Sequence, residues 1–357
     1  MTISRDLTAI TNLTFGGQGV DGTPFAGALK QLVTNHGVKL ADIKRVSGKS
    51  SGAVAALMVA LNYSIAEIEQ FYMNFTVEPR PDREYCRFAH AGLEEKIIKI
   101  ITDKYIHVDT TFSEMKEQGC KDLHIITTMA FKSNDSPTTK PHIFSSELSG
   151  DTRISDAVFA AASISGMYPM VRLGKTGPGK WEQSDTDYHH AAGGNISPEK
   201  TFDLVSPNRV TPNKETLGFI TYYGVPNAEY KPIANNAELI FALLDGPQSH
   251  YDPDRTVLID CTPFGVTTFA QNTAEKHQLL AAGTKAMENY SNPSPFQLNR
   301  GITRSPGTFF SSSSSSIPVS TTNHLTEESG PAENISGTNE EEAAAENNER
   351  NLKCRQM

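Results

Sequence analysis

Between residues 10 and 292, short apolar runs alternate with longer stretches in which apolar side chains recur every three or four positions. Leu13–Phe15 predicts a short strand that runs into glycines, and Phe25, Leu29 and Leu32 share one face of a helix over Phe25–Asn35. Ile43–Val46 predicts a second strand. Gly52–Leu61, rich in Ala, Val and Leu, predicts a buried helix. Ser64-Ile65-Ala66-Glu67 has the spacing of a capping box and opens a helix that reaches Phe75. Leu93–Ile101 is amphipathic, while His124–Met129, Leu217–Tyr222 and Thr256–Ile259 have strand character. Strands alternating with helices predict an α/β layered fold with a mostly parallel sheet. The periodicity stops after Asn292. Ser311–Ser316 is a run of serines, followed by Gly, Asn, Thr and Glu with few large apolar residues. Such a segment cannot bury enough surface to offset its ordering entropy. The expected organisation is a folded domain over 10–292 and a disordered, low-complexity acidic tail over 293–357.

Charge and cysteine content narrow the class. The formal net charge of the 357-residue chain is −9, and the segment from 301 onward carries eight Glu against four basic residues. An acidic body argues against nucleic acid as a partner, because phosphate neutralisation needs clustered Lys and Arg. The longest apolar run, Ala53–Leu61, is far short of the ~20 residues a membrane-spanning helix needs. Met1–Ile10 carries Arg5 and Asp6 in place of an apolar core, so no cleaved secretory signal is expected. Cys86, Cys120, Cys261 and Cys354 are dispersed, the pattern of reduced thiols. There is no zinc signature, and nothing calls for a metal or cofactor.

The chemistry is concentrated in two glycine motifs. Gly48-Lys49-Ser50-Ser51-Gly52 is a G-x-S-x-G between a predicted strand and an apolar helix, the context of a nucleophile elbow. A serine there projects its hydroxyl outward, and the helix N-terminus behind it favours developing negative charge. A phosphate-binding P-loop would need a glycine where Ile43 stands, so that alternative fails. Upstream, Gly17, Gly19 and Gly22 fit G-x-G-x-x-G, again between strand and helix. A dinucleotide site uses this spacing, and Asp42 sits where a ribose-binding acid would. The serine on the very next strand favours a different use. Glycines let backbone N–H groups of Gly17, Gln18 and Gly19 approach an acyl oxygen as an oxyanion hole.

Together, "TFGGQGVDG" and "GKSSGAVAAL" resemble the patatin-like phospholipases. The resemblance continues in Thr111–Met115, in Ile154–Ser163 with Tyr168–Val171, in Arg255–Asp260 and in Ala281–Ala286, and so spans roughly 10–292. It implies a three-layer α/β hydrolase that cleaves phospholipid acyl esters at a membrane surface through an acyl-enzyme on Ser50. It also implies a Ser–Asp dyad, with no histidine required. Several bacterial members are effectors delivered from the cytoplasm into host cells, and some such proteins depend on a host activator. The run Glu340-Glu341-Glu342 with Glu346 and Glu349 is similar to their acidic export signals, and a plain solvated tail accounts for it equally well. Cys354-Arg355-Gln356-Met357 has the outline of a prenylation box without its aliphatic positions.

The sequence departs from the family at the base. The family's Asp opens an Asp-Gly-Gly motif followed by Asn and Pro, whereas this chain has Asp187-Tyr188-His189-His190-Ala191-Ala192-Gly193-Gly194-Asn195-Ile196-Ser197-Pro198. Anchoring on Asn195 puts His189 at the Asp position, and anchoring on Gly193-Gly194 puts Ala192 there. Three readings stay open. Asp187 serves as base, the choice favoured by chemical type; His189 serves, its ordinary pKa suiting the task; or the base is lost. In the last case the chain is an impaired scaffold that binds lipid or protein.

Overall fold

The computed structural model describes residues 5–17, 22–76, 90–133, 136–164, 168, 171–183, 188–192, 197–206, 209–222, 251–262, 264 and 272–292. Gln18, Gly19, Asp185, Asp187, Cys86 and all of 293–357 lie outside the described residues. The strands are β1 (Asn12–Gly16), β2 (Arg45–Lys49), β3 (Asp122–Ser133), β4 (Ser136–Phe144), β5 (Val171–Gly177), β6 (Lys180–Gln183), β7 (Tyr188–Ala191), β8 (Leu204–Ser206), β9 (Arg209–Thr211), β10 (Thr216–Tyr222) and β11 (Thr256–Asp260). The helices are α1 (Thr23–His36), α2 (Ser51–Ala60), α3 (Ile65–Asn74), α4 (His90–Thr102), α5 (Phe112–Glu117), α6 (Ile154–Ala162) and α7 (Thr273–Ser291).

Five strands in the order β11-β10-β1-β2-β3 run parallel and form the expected sheet. The sheet then continues antiparallel through β4, β7, β5 and β6, a wing that apolar periodicity did not reveal. The wing is hard to read because its strands are polar or short, and β4 is largely exposed. β3 serves both halves. Its Asp122–Ile126 segment pairs with β2 and its Ile125–Ser133 segment with β4, so β2 and β4 occupy opposite edges. β7 pairs with Thr128–Ala130 on the edge that β4 leaves free. It therefore continues the line of β2, end to end and pointing toward it. β2 itself begins two residues later than the apolar pattern suggested. Leu40–Asp42 forms a 3-10 turn whose carbonyl at Leu40 accepts the Ile43 N–H, and pairing to Thr11 starts only at Lys44.

Local signals are met where the side chains make their own bonds. Ser64 Oγ accepts the Glu67 N–H at 3.3 Å while the Glu67 carboxylate accepts the Ser64 N–H at 2.7 Å, completing the cap on α3. Thr111 with Glu114 and Asn272 with Glu275 repeat the device on α5 and α7. Lys276 of α7 is buried and donates to the carbonyls of Tyr72 at 3.0 Å and Met73 at 2.9 Å. An ammonium thus closes the C-terminal end of α3. The core forms on the Phe15 face of the sheet, where Phe15 stacks on Phe219 (5.4 Å) and meets Phe25 edge-on (5.5 Å). Gly52–Ala60 of α2 is buried throughout. Among the described residues, no helix is long and apolar enough to cross a membrane.

The opposite face is covered by residues 197–203, with Thr201 bonded to Ser47 and Phe202 against His124 and the Arg45 guanidinium. Glu199 in this cover is fully buried over Gly218. Its Oε1 accepts the Asp252 N–H at 3.0 Å, and its Oε2 has no hydrogen-bond partner among the described residues. Burial pushes its carboxyl above the usual range, against the pull of those backbone bonds and of Lys200 and Arg255. The folded state therefore holds this proton more tightly than the unfolded chain. The stability it contributes is present below the ordinary glutamate pKa and is lost as pH rises through the folded value. Glu199→Gln is expected to be more stable than the parent at pH 8 and to show a flatter pH dependence. Urea midpoints of both proteins at pH 5 and pH 8 check this, and a parallel pH dependence in the two proteins would remove Glu199 as its source.

Candidate active site

Ser50 sits between the end of β2 and the first turn of α2 with φ 53° and ψ −135°, a conformation that a side chain rarely adopts. It is 6% exposed. The turn is that tight because the flanking glycines admit the backbone where no Cβ could go. A Cβ on Gly48 would run into the carbonyl of Gly52, and one on Gly52 would run into the carbonyl of Phe15. α2 is thereby seated directly on β1 and β2, with its N-terminal amides beneath Ser50. The first amides of a helix lack intrahelical acceptors, so they are available to a developing oxyanion.

Gly17 follows β1 and lies against the same turn. A Cβ on Gly17 would fall 2.7 Å from Ser51 N and 2.9 Å from Ser50 Cβ. Its own amide, however, donates to the Lys49 carbonyl at 3.1 Å, extending the β1–β2 ladder. In this conformation Gly17 makes room and leaves donation to other groups. Gln18 and Gly19, the other oxyanion candidates, lie outside the described residues. Gly22 ends the motif at the N-cap of α1, where the Tyr72 ring of α3 occupies the place of a Cβ.

The register fixes what faces Ser50 across the gap. Lys49 pairs with Ile126 and Ala191 with Thr128, so Ser50 and Ala192 both flank the level of Thr127 on one edge of β3. Ala192 is buried, and its N–H is held by the Ser163 carbonyl at 2.9 Å. His189 pairs with Ala130, three residues further along β3, about 10 Å at ~3.3 Å per residue. Tyr188 lies one residue beyond that, and Asp187, which precedes it, lies outside the described residues.

The histidines of β7 have distinct surroundings. His189 is half-buried, its Nδ1 has no partner among the described residues, and burial, then Arg172, lowers its pKa. His190 is fully buried among His142, Phe144 and Trp181, with Nδ1 3.0 Å from Thr127 Oγ1. Burial above all brings it down to about 3 and His142 to about 4, so both are neutral at physiological pH. Asp156 in α6 is buried too. Its carboxylate bonds to the Arg153 guanidinium at 2.9 and 3.1 Å and to Gln183 at 3.1 Å, a clamp between α6 and β6.

A strained serine between a parallel strand and a helix, with Gly17 at the end of the adjacent strand packed against it, defines the nucleophile-elbow class of α/β proteins. The sequence matches the family model described as patatin-like phospholipase over residues 13–197, and the chain belongs to that family. It is similar to uncharacterized protein R571 of Acanthamoeba polyphaga mimivirus, 32% identical over 129 residues, which cover 33% of this chain and 42% of R571. Among solved structures it is similar to VipD from Legionella pneumophila, with 12% identity, TM-score 0.48 and coverage of 79% of this chain and 66% of VipD. A second is the type III effector protein ExoU, with 14% identity, TM-score 0.43 and coverage of 79% of this chain and 52% of that one. The chain thus spans less than half of R571 and between half and two thirds of the solved chains.

Proposed function

We propose that the chain is a serine-dependent lipid acyl hydrolase in which Ser50 attacks the acyl carbonyl of a phospholipid and carries the acyl group as an ester. The observation that carries this is the backbone of Ser50. Holding a serine at φ 53°, ψ −135° costs of order 1–3 kcal/mol that glycine would avoid. The fold bears that cost where Ser50 meets the N-terminus of α2 and Gly17. The base is assigned to Asp187, in the segment ahead of β7, on chemical type rather than register, as the carboxylate of a Ser–Asp dyad. Membership of the family supports a phospholipid at a membrane surface as substrate. Export as an effector rests on the resemblance together with the Glu-rich segment 340–349, and a host activator on the resemblance alone.

One observation favours a second reading. The residue level with Ser50 is Ala192, which has no proton-accepting group, and that suits a scaffold that binds acyl chains or a protein without turnover. Fluorophosphonate labelling and fatty-acid release from phospholipid vesicles separate the two across the wild type, Ser50→Ala, Asp187→Asn and Ala192→Asp. The hydrolase reading expects labelling and release by the wild type, neither by Ser50→Ala, and a loss of about 10²-fold or more in Asp187→Asn, the range of a general base. The scaffold reading expects no release by the wild type, no effect of Asp187→Asn, and release gained in Ala192→Asp. Release undiminished in Ser50→Ala sinks the serine mechanism.

A further inference from the structure

We infer that the side-chain hydroxyl of Ser51 is an oxyanion donor, a role that rests on Ser50 being the nucleophile as proposed above. Three observations converge on it. The Gly17 amide is already engaged by the Lys49 carbonyl at 3.1 Å, so the glycine of the upstream motif that packs against Ser50 has no N–H to offer. A Cβ placed on Gly17 would be 2.5 Å from Ser51 Oγ, 2.7 Å from Ser51 N and 2.9 Å from Ser50 Cβ. The hydroxyl, the first amide of α2 and the nucleophile therefore share one small volume. Finally, Ser51 Oγ is shielded from solvent and has no hydrogen-bond partner among the described residues. A buried hydroxyl is ordinarily bonded, and exceptions concentrate where a ligand or intermediate supplies the missing partner.

The step balances without any transfer from Ser51. Ser50 Oγ forms a bond to the acyl carbon, its proton passes to the base, and the carbonyl π pair moves onto oxygen. Ser51 O–H and Ser51 N–H donate to that oxygen. When the tetrahedral species collapses, the pair returns, the bond to the leaving alkoxy oxygen breaks, and the alcohol departs with the proton. A donor fixed before the reaction gains strength as negative charge develops, so its effect falls on turnover more than on binding.

The test uses the whole chain, a soluble p-nitrophenyl ester and a fluorophosphonate. Ser51→Ala is expected to lower kcat and the phosphonylation rate about 10²-fold, the scale of one oxyanion donor. KM should stay within about twofold and the melting temperature should be unchanged. Ser51→Thr, which keeps the hydroxyl, should recover most of both rates. A packing role would not produce that kcat-against-KM split with rescue by threonine. Ser51→Ala labelled at the wild-type rate, while Ser50→Ala stays unlabelled, overturns the inference and leaves the Ser50 assignment standing. Ser51→Thr as slow as Ser51→Ala, at an unchanged melting temperature, also overturns it. A wild type that the probe does not label overturns both.

Discussion

Ser50→Gly is expected to abolish acyl release and at the same time to stabilise the fold by about 1 kcal/mol. The two effects have one origin. At φ 53° and ψ −135° the Cβ of Ser50 is held against its own backbone, a strain of order 1–3 kcal/mol. Glycine removes it and returns about 0.5–1 kcal/mol of that gain as extra freedom in the unfolded chain. Ser50→Ala is the control, because it deletes the hydroxyl and keeps the Cβ. Both variants should lose hydrolysis and phosphonylation alike, and urea unfolding should place Ser50→Gly above Ser50→Ala. A glycine variant no more stable than the alanine one would mean that the turn is relaxed, and the structural case for Ser50 would go with it.

The second large effect concerns the crossing of α1 and α7. A Cβ on Gly283 would enter the Pro24 carbonyl and lie 2.9 Å from Ala28 N, and one on Gly27 would enter the Leu280 carbonyl. Two helix backbones are thus in contact through a reciprocal pair of glycines, with no flexible side chain between them to give way. Gly283→Ala is expected to cost about 3 kcal/mol, beyond the roughly 1 kcal/mol of helix propensity that alanine adds. Because Gly22, the last glycine of the motif, is the N-cap of α1, the displacement should lower activity as well. Equilibrium urea unfolding checks the first effect. A loss below 1 kcal/mol would show that the helices part easily.

Much of this architecture was legible in the chain. The capping box at Ser64 specifies a helix start by bonds that span three residues, whereas the same device at Thr111 became apparent only in the structure. The apolar runs at Leu13, Leu217 and Thr256 specify strands, the first two buried on both faces. The two glycine motifs announced the elbow and the loop beside it, because each encodes a local backbone geometry. Local encoding ends there. β4 to β7 carry too few apolar residues for a period to show, so the antiparallel wing was invisible although it decides what stands opposite the serine.

What the sequence determined by itself is the elbow and the family, since a sharp strand-to-helix turn needs its glycines within five residues. What only the tertiary structure decided is the company Ser50 keeps. Two alignments of the Gly-Gly-Asn stretch are allowed along the chain, and neither carries the spatial fact that pairing with β3 adds, which sets Ala192 level with Ser50 and His189 three residues away. The Gly17 amide was likewise spoken for only once β1 and β2 lay side by side. Hydrogen bonds between strands far apart in sequence fix such positions, and no periodicity in either strand records its partner's register.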